Sequence, residues 1–139
     1  MKLDRIDHLG IAVSSIEGRR AFWGVGLALG EPHLEVVESE RVRVAMFAVG
    51  ESRIELLEPT DDDSIIAGFI ARRGEGIHHV CFAVADIEPA IAHLVAEGHR
   101  LVGDAPRIGV GGARVAFLHP QSSGGILIEL KEDPAEVAP

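Results

Sequence analysis

The chain has a single cysteine in 139 residues, so it can form neither an intramolecular disulfide nor a multi-cysteine zinc or iron–sulfur site. Basic charge is also scarce: 13 Lys and Arg stand against 22 Asp and Glu, a formal charge of −9. Binding to nucleic acid by counterion release needs clustered cations, so nucleic acid is excluded as the main partner. No apolar run is long enough to span a bilayer. Residues 1–10, MKLDRIDHLG, carry aspartates where a secretory signal needs an unbroken apolar stretch. What remains is ordinary for a folded chain, with 47% apolar and 25% charged residues. The length suits one compact domain, or two very small modules sharing a core. The expectation is a soluble cytoplasmic domain.

A repeat is the most informative feature present. Ile6-Asp7-His8-Leu9-Gly10-Ile11-Ala12-Val13 returns as Ile77-His78-His79-Val80-Cys81-Phe82-Ala83-Val84, an offset of 71. At the same offset Ile16-Glu17 matches Ile87-Glu88, and Arg43-Val44-Ala45 matches Arg114-Val115-Ala116. Ile54-Glu55-Leu56 then corresponds to Ile128-Glu129-Leu130, the offset having grown to 74 through a longer turn.

Each copy opens on an alternating strand, with Leu9, Ile11 and Val13 on one face and His8, Gly10 and Ala12 on the other. A helix follows. In the first copy Ser14 and Glu17 form a capping box and the helix runs to about Trp23. In the second, Asp86 is the N-cap, Pro89 sits in the first turn, and Ile87, Ile91, Leu94 and Val95 make the apolar stripe before Gly98. Three strands come next in each copy, at Leu34–Glu38, Val42–Val49 and Arg53–Glu58, then at Arg100–Asp104, Arg114–Leu118 and Gly125–Lys131. The predicted fold is α+β, two pseudosymmetric βαβββ modules in one domain spanning residues 1–139. The modules cover about 4–59 and about 76–131. A helical linker at 60–75 joins them, starting at Asp61-Asp62-Asp63-Ser64, with Ile65, Ile66, Phe69 and Ile70 as its apolar face and Gly74 as its stop. The tail at 132–139 carries two prolines and no core pattern, and is expected to fray.

In each unit the first strand supplies a histidine and the last a glutamate: His8 and Glu55, then His79 and Glu129. If the units pair about a pseudo-twofold axis, two imidazoles and two carboxylates converge on a divalent cation. That donor set suits Co, Ni, Mn, Fe or Zn better than Ca or Mg. Gly10, Ala12, Cys81 and Ala83 on the histidine face are small and leave room for a substrate. Taken singly, a strand histidine is more often a hydrogen-bonded structural residue, and a strand glutamate more often faces solvent. Pairing at repeated positions is what favours a metal here. The repeat aligns His79 with His8, and His78 only with Asp7.

Other candidates are weaker. Gly24-Val25-Gly26 with Gly30 lacks dinucleotide-fingerprint spacing, and Asp61–Asp63 lacks that of a calcium loop. Cys81 reads as an inert buried thiol rather than a nucleophile. The loop at 106–112, with Arg107 and three glycines, could approach an anion but reads equally well as a hairpin loop. His119-Pro120-Gln121-Ser122 reads as a turn.

These phrases resemble the vicinal oxygen chelate superfamily, whose paired βαβββ modules form a cupped mixed sheet around a metal. Within it the chain most resembles the methylmalonyl-CoA epimerase family, through Ile6–Val13, Glu55-Leu56-Leu57-Glu58-Pro59, Gly74-Glu75-Gly76-Ile77-His78-His79, and Phe117-Leu118-His119-Pro120 with Gly124 to Leu130. The resemblance covers about residues 4–131 and implies His8, His79 and Glu129 as metal ligands. Glu55 stands where some epimerases have glutamine. Val44 stands where some carry a glutamate proposed as one of two opposed bases, so that mechanism does not transfer intact. The implied reaction is inversion at the α-carbon of methylmalonyl-CoA, with a divalent metal (cobalt first; Ni, Mn, Zn or Fe as alternatives) and an acyl-CoA substrate. Glu129 and Glu55 are the implied proton-transfer groups. Arg43, Arg107 and Arg114 are candidates to meet the nucleotide. The resemblance also implies a homodimer. A glyoxalase I-like lyase or isomerase, and a non-catalytic small-molecule binding protein of the same fold, are the competing readings; fold alone does not separate them.

Overall fold

The computed structural model of the protein describes residues 1–134. The fold is α+β, with strands and helices in the order β1 (Arg5–Ala12), α1 (Ile16–Arg20), β2 (His33–Val37), β3 (Val42–Val49), β4 (Ser52–Pro59), α2 (Ile65–Arg73), β5 (Gly76–Ala83), α3 (Ile87–Ala96), β6 (Leu101–Ile108), β7 (Arg114–Leu118) and β8 (Leu127–Glu132). The βαβββ order therefore occurs twice, with α2 between the copies. No helix among the described residues is long and apolar enough to cross a membrane. The described residues fall into two compact units, one of His8–His78 and one of Met1–Asp7 together with the described residues from His79 onward.

In the unit of His8–His78, β1 runs parallel to β4, with His8 opposite Arg53, Gly10 opposite Glu55 and Ala12 opposite Leu57. β3 is antiparallel to β4, and β2 to β3. Residues opposite one another share a face, so each face of this sheet can be read from the register. On one face Val13, Ile16, Ala45, Phe47 and Leu56 form a core against which Trp23 and Leu29 pack. Burying each large side chain of that group contributes about 1.5–3 kcal/mol. On the other face Ala12, Val42, Val44 and Leu57 pack against Ile66 and Phe69 of α2. The linker helix is thus a core element. Ser64 Oγ accepts from the Ile66 amide at 3.2 Å at its start, and Gly74, at a φ of +78°, ends it. Ile65, expected on the apolar face, is exposed, because Ile66 and Phe69 take the buried positions.

The first helix differs from expectation. Ser15, not Ser14, is the N-cap, its Oγ accepting from the Gly18 amide at 3.1 Å. The Ser14 amide instead donates to Glu75 Oε1 at 2.9 Å. After Arg20 the chain widens into a π-helical turn, Ala21–Gly26, beyond the expected end at Trp23.

In the other unit β5 runs parallel to β8, with His79 opposite Leu127 and Cys81 opposite Glu129, while β7 is antiparallel to β8 and β6 to β7. Val84, Ile87, Ala90, Ala116 and Leu130 make its core, packing α3 on one face of the sheet. The N-terminal residues join this unit: the Asp4 amide donates to the Ala83 carbonyl at 2.9 Å, and buried Asp7 lies 3.3 Å from Arg5 Nη2 and 3.5 Å from Lys131 Nζ. β6 runs to Ile108, so only the first three residues of the stretch read as a hairpin loop, 106–112, are strand. Of the tail expected to fray, Glu132 closes β8, and residues from 135 onward lie outside the described part of the chain.

Candidate active site

On the α2 side of its sheet, beyond the packed end, the first unit carries three functional side chains close together. His8 on β1 and Glu55 on β4 are held two residues apart in register by the parallel pairing, with sidechain-free Gly10 opposite Glu55. The His8 Nδ1 to Glu55 Oε2 distance is 3.5 Å, and both side chains are largely buried, at 9% and 13% exposure. Arg53, directly opposite His8, donates from Nη2 to the same Glu55 oxygen at 3.2 Å. Val44 lies on this face but deep in the core, 6% exposed among Val42, Leu57, Ile66 and Phe69. It is a packing residue, as its side chain requires.

The second unit repeats the pair. His79 Nε2 and Glu129 Oε1 are 3.9 Å apart, each side chain 13% exposed. Cys81 opposite Glu129 is fully buried, which agrees with an inert thiol. Phe117 is the antiparallel partner of Glu129, and the Arg107 guanidinium lies 4.8 Å above the Phe117 ring. Leu127 occupies, opposite His79, the register position that Arg53 occupies opposite His8.

Each unit also contains a helix-capping device whose glutamate lies outside the matched phrases of the repeat. The Ile16 amide donates to Glu58 Oε1 at 2.9 Å, and the Ile87 amide to Glu132 Oε2 at 2.7 Å. These carboxylates satisfy orphan amides at the positive ends of α1 and α3. An arginine backs each one: Arg43 Nη1 is 3.4 Å from Glu58, and Arg114 Nη1 is 3.7 Å from Glu132 while its Nη2 reaches Glu88 at 2.7 Å. Arg43 and Arg114, read from sequence as candidates to meet a nucleotide, are therefore engaged in holding helix starts. The signal was legible: Glu58 and Glu132 stand three residues after Glu55 and Glu129.

The remaining candidates have structural roles. The His78 ring packs edge-on to Phe69 at 5.2 Å, and burial lowers its pKa from the ordinary histidine value, favouring neutral imidazole. Glu75 is bound by the Arg19 guanidinium and the Ser14 amide, which together hold its carboxyl below the usual range. His119 caps a short 3₁₀ turn, Pro120–Ser122, its Nδ1 accepting from the Gln121 amide at 3.1 Å.

Both His–Glu separations exceed a normal N–H···O hydrogen bond of about 2.7–3.2 Å. Two donors bound at about 2.0–2.2 Å to one cation can stand no more than about 4.4 Å apart. The 3.5 and 3.9 Å pairs both lie within that limit. Imidazole nitrogen with carboxylate oxygen, mostly withdrawn from water, is donor chemistry that fits a divalent transition metal.

Comparison with known proteins gives a consistent result. The family model described as "Glyoxalase/Bleomycin resistance protein/Dioxygenase superfamily" matches residues 7–117. Over 94% of its length the chain is 37% identical to the mitochondrial methylmalonyl-CoA epimerase of Bos taurus, covering 75% of that protein. It is equally identical, over 94% of its length and 98% of the relative, to the ethylmalonyl-CoA/methylmalonyl-CoA epimerase of Cereibacter sphaeroides. The crystal structure of a Streptomyces coelicolor methylmalonyl-CoA epimerase variant in complex with 2-nitronate-propionyl-CoA superposes with a TM-score of 0.85 at 38% identity, covering 99% of this chain and all of that one.

Proposed function

Since this chain belongs to the Glyoxalase/Bleomycin resistance protein/Dioxygenase superfamily and, within it, to the methylmalonyl-CoA epimerase family, we propose that it interconverts the R and S epimers of methylmalonyl-CoA. The reacting α-carbon of that substrate lies between a thioester and a carboxylate, and its proton is too weakly acidic to leave unaided at neutral pH. A carboxylate must take the proton, and the charge then developing on the thioester oxygen must be stabilised.

In this reading His8, Glu55, His79 and Glu129 together hold one divalent ion, which supplies Lewis-acid stabilisation to the substrate oxygens when bound. Cobalt is the first choice, and nickel, manganese, zinc and iron suit the same donors. Glu129, on the second module's last strand, takes the α-proton. The small side chains of Gly10, Ala12, Cys81 and Ala83 on the histidine face support the reading that a substrate fits beside the donors. The enzyme works in the cytoplasm as a homodimer. One observation carries the reading: in a chain of epimerase-like sequence, each module brings a histidine and a glutamate within 4 Å, at 3.5 and 3.9 Å.

The test is α-proton exchange of methylmalonyl-CoA in D₂O, followed by NMR with cobalt-loaded and EDTA-stripped protein. Metal-dependent exchange with conversion between epimers is expected. No exchange at saturating cobalt would overturn the reading and move weight to glyoxalase-type chemistry or to ligand binding.

A further inference from the structure

The two site glutamates sit in the same place in their modules but do not have the same neighbour. In β1–β4 the residue opposite the histidine is Arg53, and in β5–β8 it is Leu127. The Arg53 guanidinium donates at 3.2 Å to Glu55 Oε2, which is the oxygen 3.5 Å from His8 Nδ1. Glu55 is thereby fixed in two directions, its charge paired and its carboxylate turned toward the histidine. Ligating carboxylates are commonly held by such outer partners, whose loss costs about 10–100-fold in metal affinity.

We infer that Arg53 is a positioning residue that holds the Glu55 carboxylate in the orientation in which it serves as a metal ligand. The inference rests on the metal-dependent reading above.

The experiment is a titration of metal-stripped protein with Co²⁺, read by the visible absorption of the bound ion and by calorimetry, for wild type, Arg53→Met and Arg53→Lys. The expected result is about a 10-fold weaker affinity in R53M with an unchanged melting temperature of the stripped protein, and partial recovery in R53K, which restores the charge. Exchange lost by R53M at low cobalt returns as cobalt is raised. Wild-type affinity in R53M overturns the inference and leaves the epimerase reading standing. Exchange in R53M that stays low at saturating cobalt also overturns it, since Arg53 would then act on the reaction itself. A wild-type protein that binds no Co²⁺ overturns the metal reading and this inference together.

Discussion

The two modules are built alike where they fold and differ where they would react. Both tie the first amide of a helix to a glutamate at the end of the last strand, Ile16 to Glu58 and Ile87 to Glu132, and both back that glutamate with an arginine. Both set a histidine and a glutamate on one face of a parallel strand pair. The contrast lies opposite the histidine: a guanidinium on Glu55 in one module, an aliphatic side chain at the matching place in the other. In the second module Arg107 stacks over Phe117, the antiparallel partner of Glu129. Duplication preserves what any copy needs in order to fold, while a one-residue difference gives the two carboxylates different neighbours.

The sharpest way to break this comparison is to neutralise each glutamate. Glu129→Gln is expected to lower the α-proton exchange rate by about 10³-fold, within the range for losing a general base. Glu55→Gln should act mainly through cobalt affinity. Equal loss of exchange in both variants with metal bound would abolish the distinction. The histidines come next and should behave alike: His8→Ala and His79→Ala each weaken Co²⁺ binding by more than about 100-fold, beyond the loss of an outer partner. Metal analysis of dialysed protein checks this, and a variant that retains stoichiometric cobalt would remove its histidine from the ligand set.

The cores supply a third comparison. Leu56 and Leu130, 0% and 1% exposed, occupy matching positions beside the two glutamates. Replacement of either by alanine should cost about 2–5 kcal/mol in urea denaturation, since each leaves a cavity. A cost near zero for one would mean that its module is not a cooperative part of the fold. The caps are worth less: Glu58→Ala and Glu132→Ala should each cost about 0.5–2 kcal/mol, with no change in KM for the acyl-CoA. A raised KM would return Arg43 or Arg114 to nucleotide binding.

The smallest effect belongs to the first module alone. Glu75 has its pKa lowered, first by the Arg19 side chain and then by the Ser14 amide. The unfolded chain therefore takes up a proton before the folded one as pH falls. The contact stabilises the fold above the ordinary glutamate pKa, and that contribution is lost as pH drops through the lowered folded value. Glu75→Gln should flatten the stability–pH curve across that window, and an unaltered acid limb would dismiss the contact as stabilising.

Much of this was legible in the chain because a repeat constrains two places at once. The strand histidines, the glutamates after them and the α2 boundaries at Ser64 and Gly74 followed from spacing and capping chemistry. Ser15 rather than Ser14 caps α1, and the Ser14 amide is claimed by Glu75, a partner 61 residues away that no local rule anticipates. Arg43 and Arg114 looked available for an anion because their partners, Glu58 and Glu132, lie on a neighbouring strand in each case. Val44 as a core residue was predictable in kind, but that α2 packs against it was not.

By itself the sequence determined the duplicated βαβββ order and the types of donor each copy offers, because alternation, helical spacing and caps are local and the repeat states them twice. Only the tertiary structure decided which charges are already spent. Strand register sets Arg53 against Glu55 and Leu127 opposite His79, and helix docking turns Glu58 and Glu132 into caps. Such pairings join residues far apart in the chain, and hydrogen bonds with a reach of about 3 Å are fixed by packing rather than by sequence spacing.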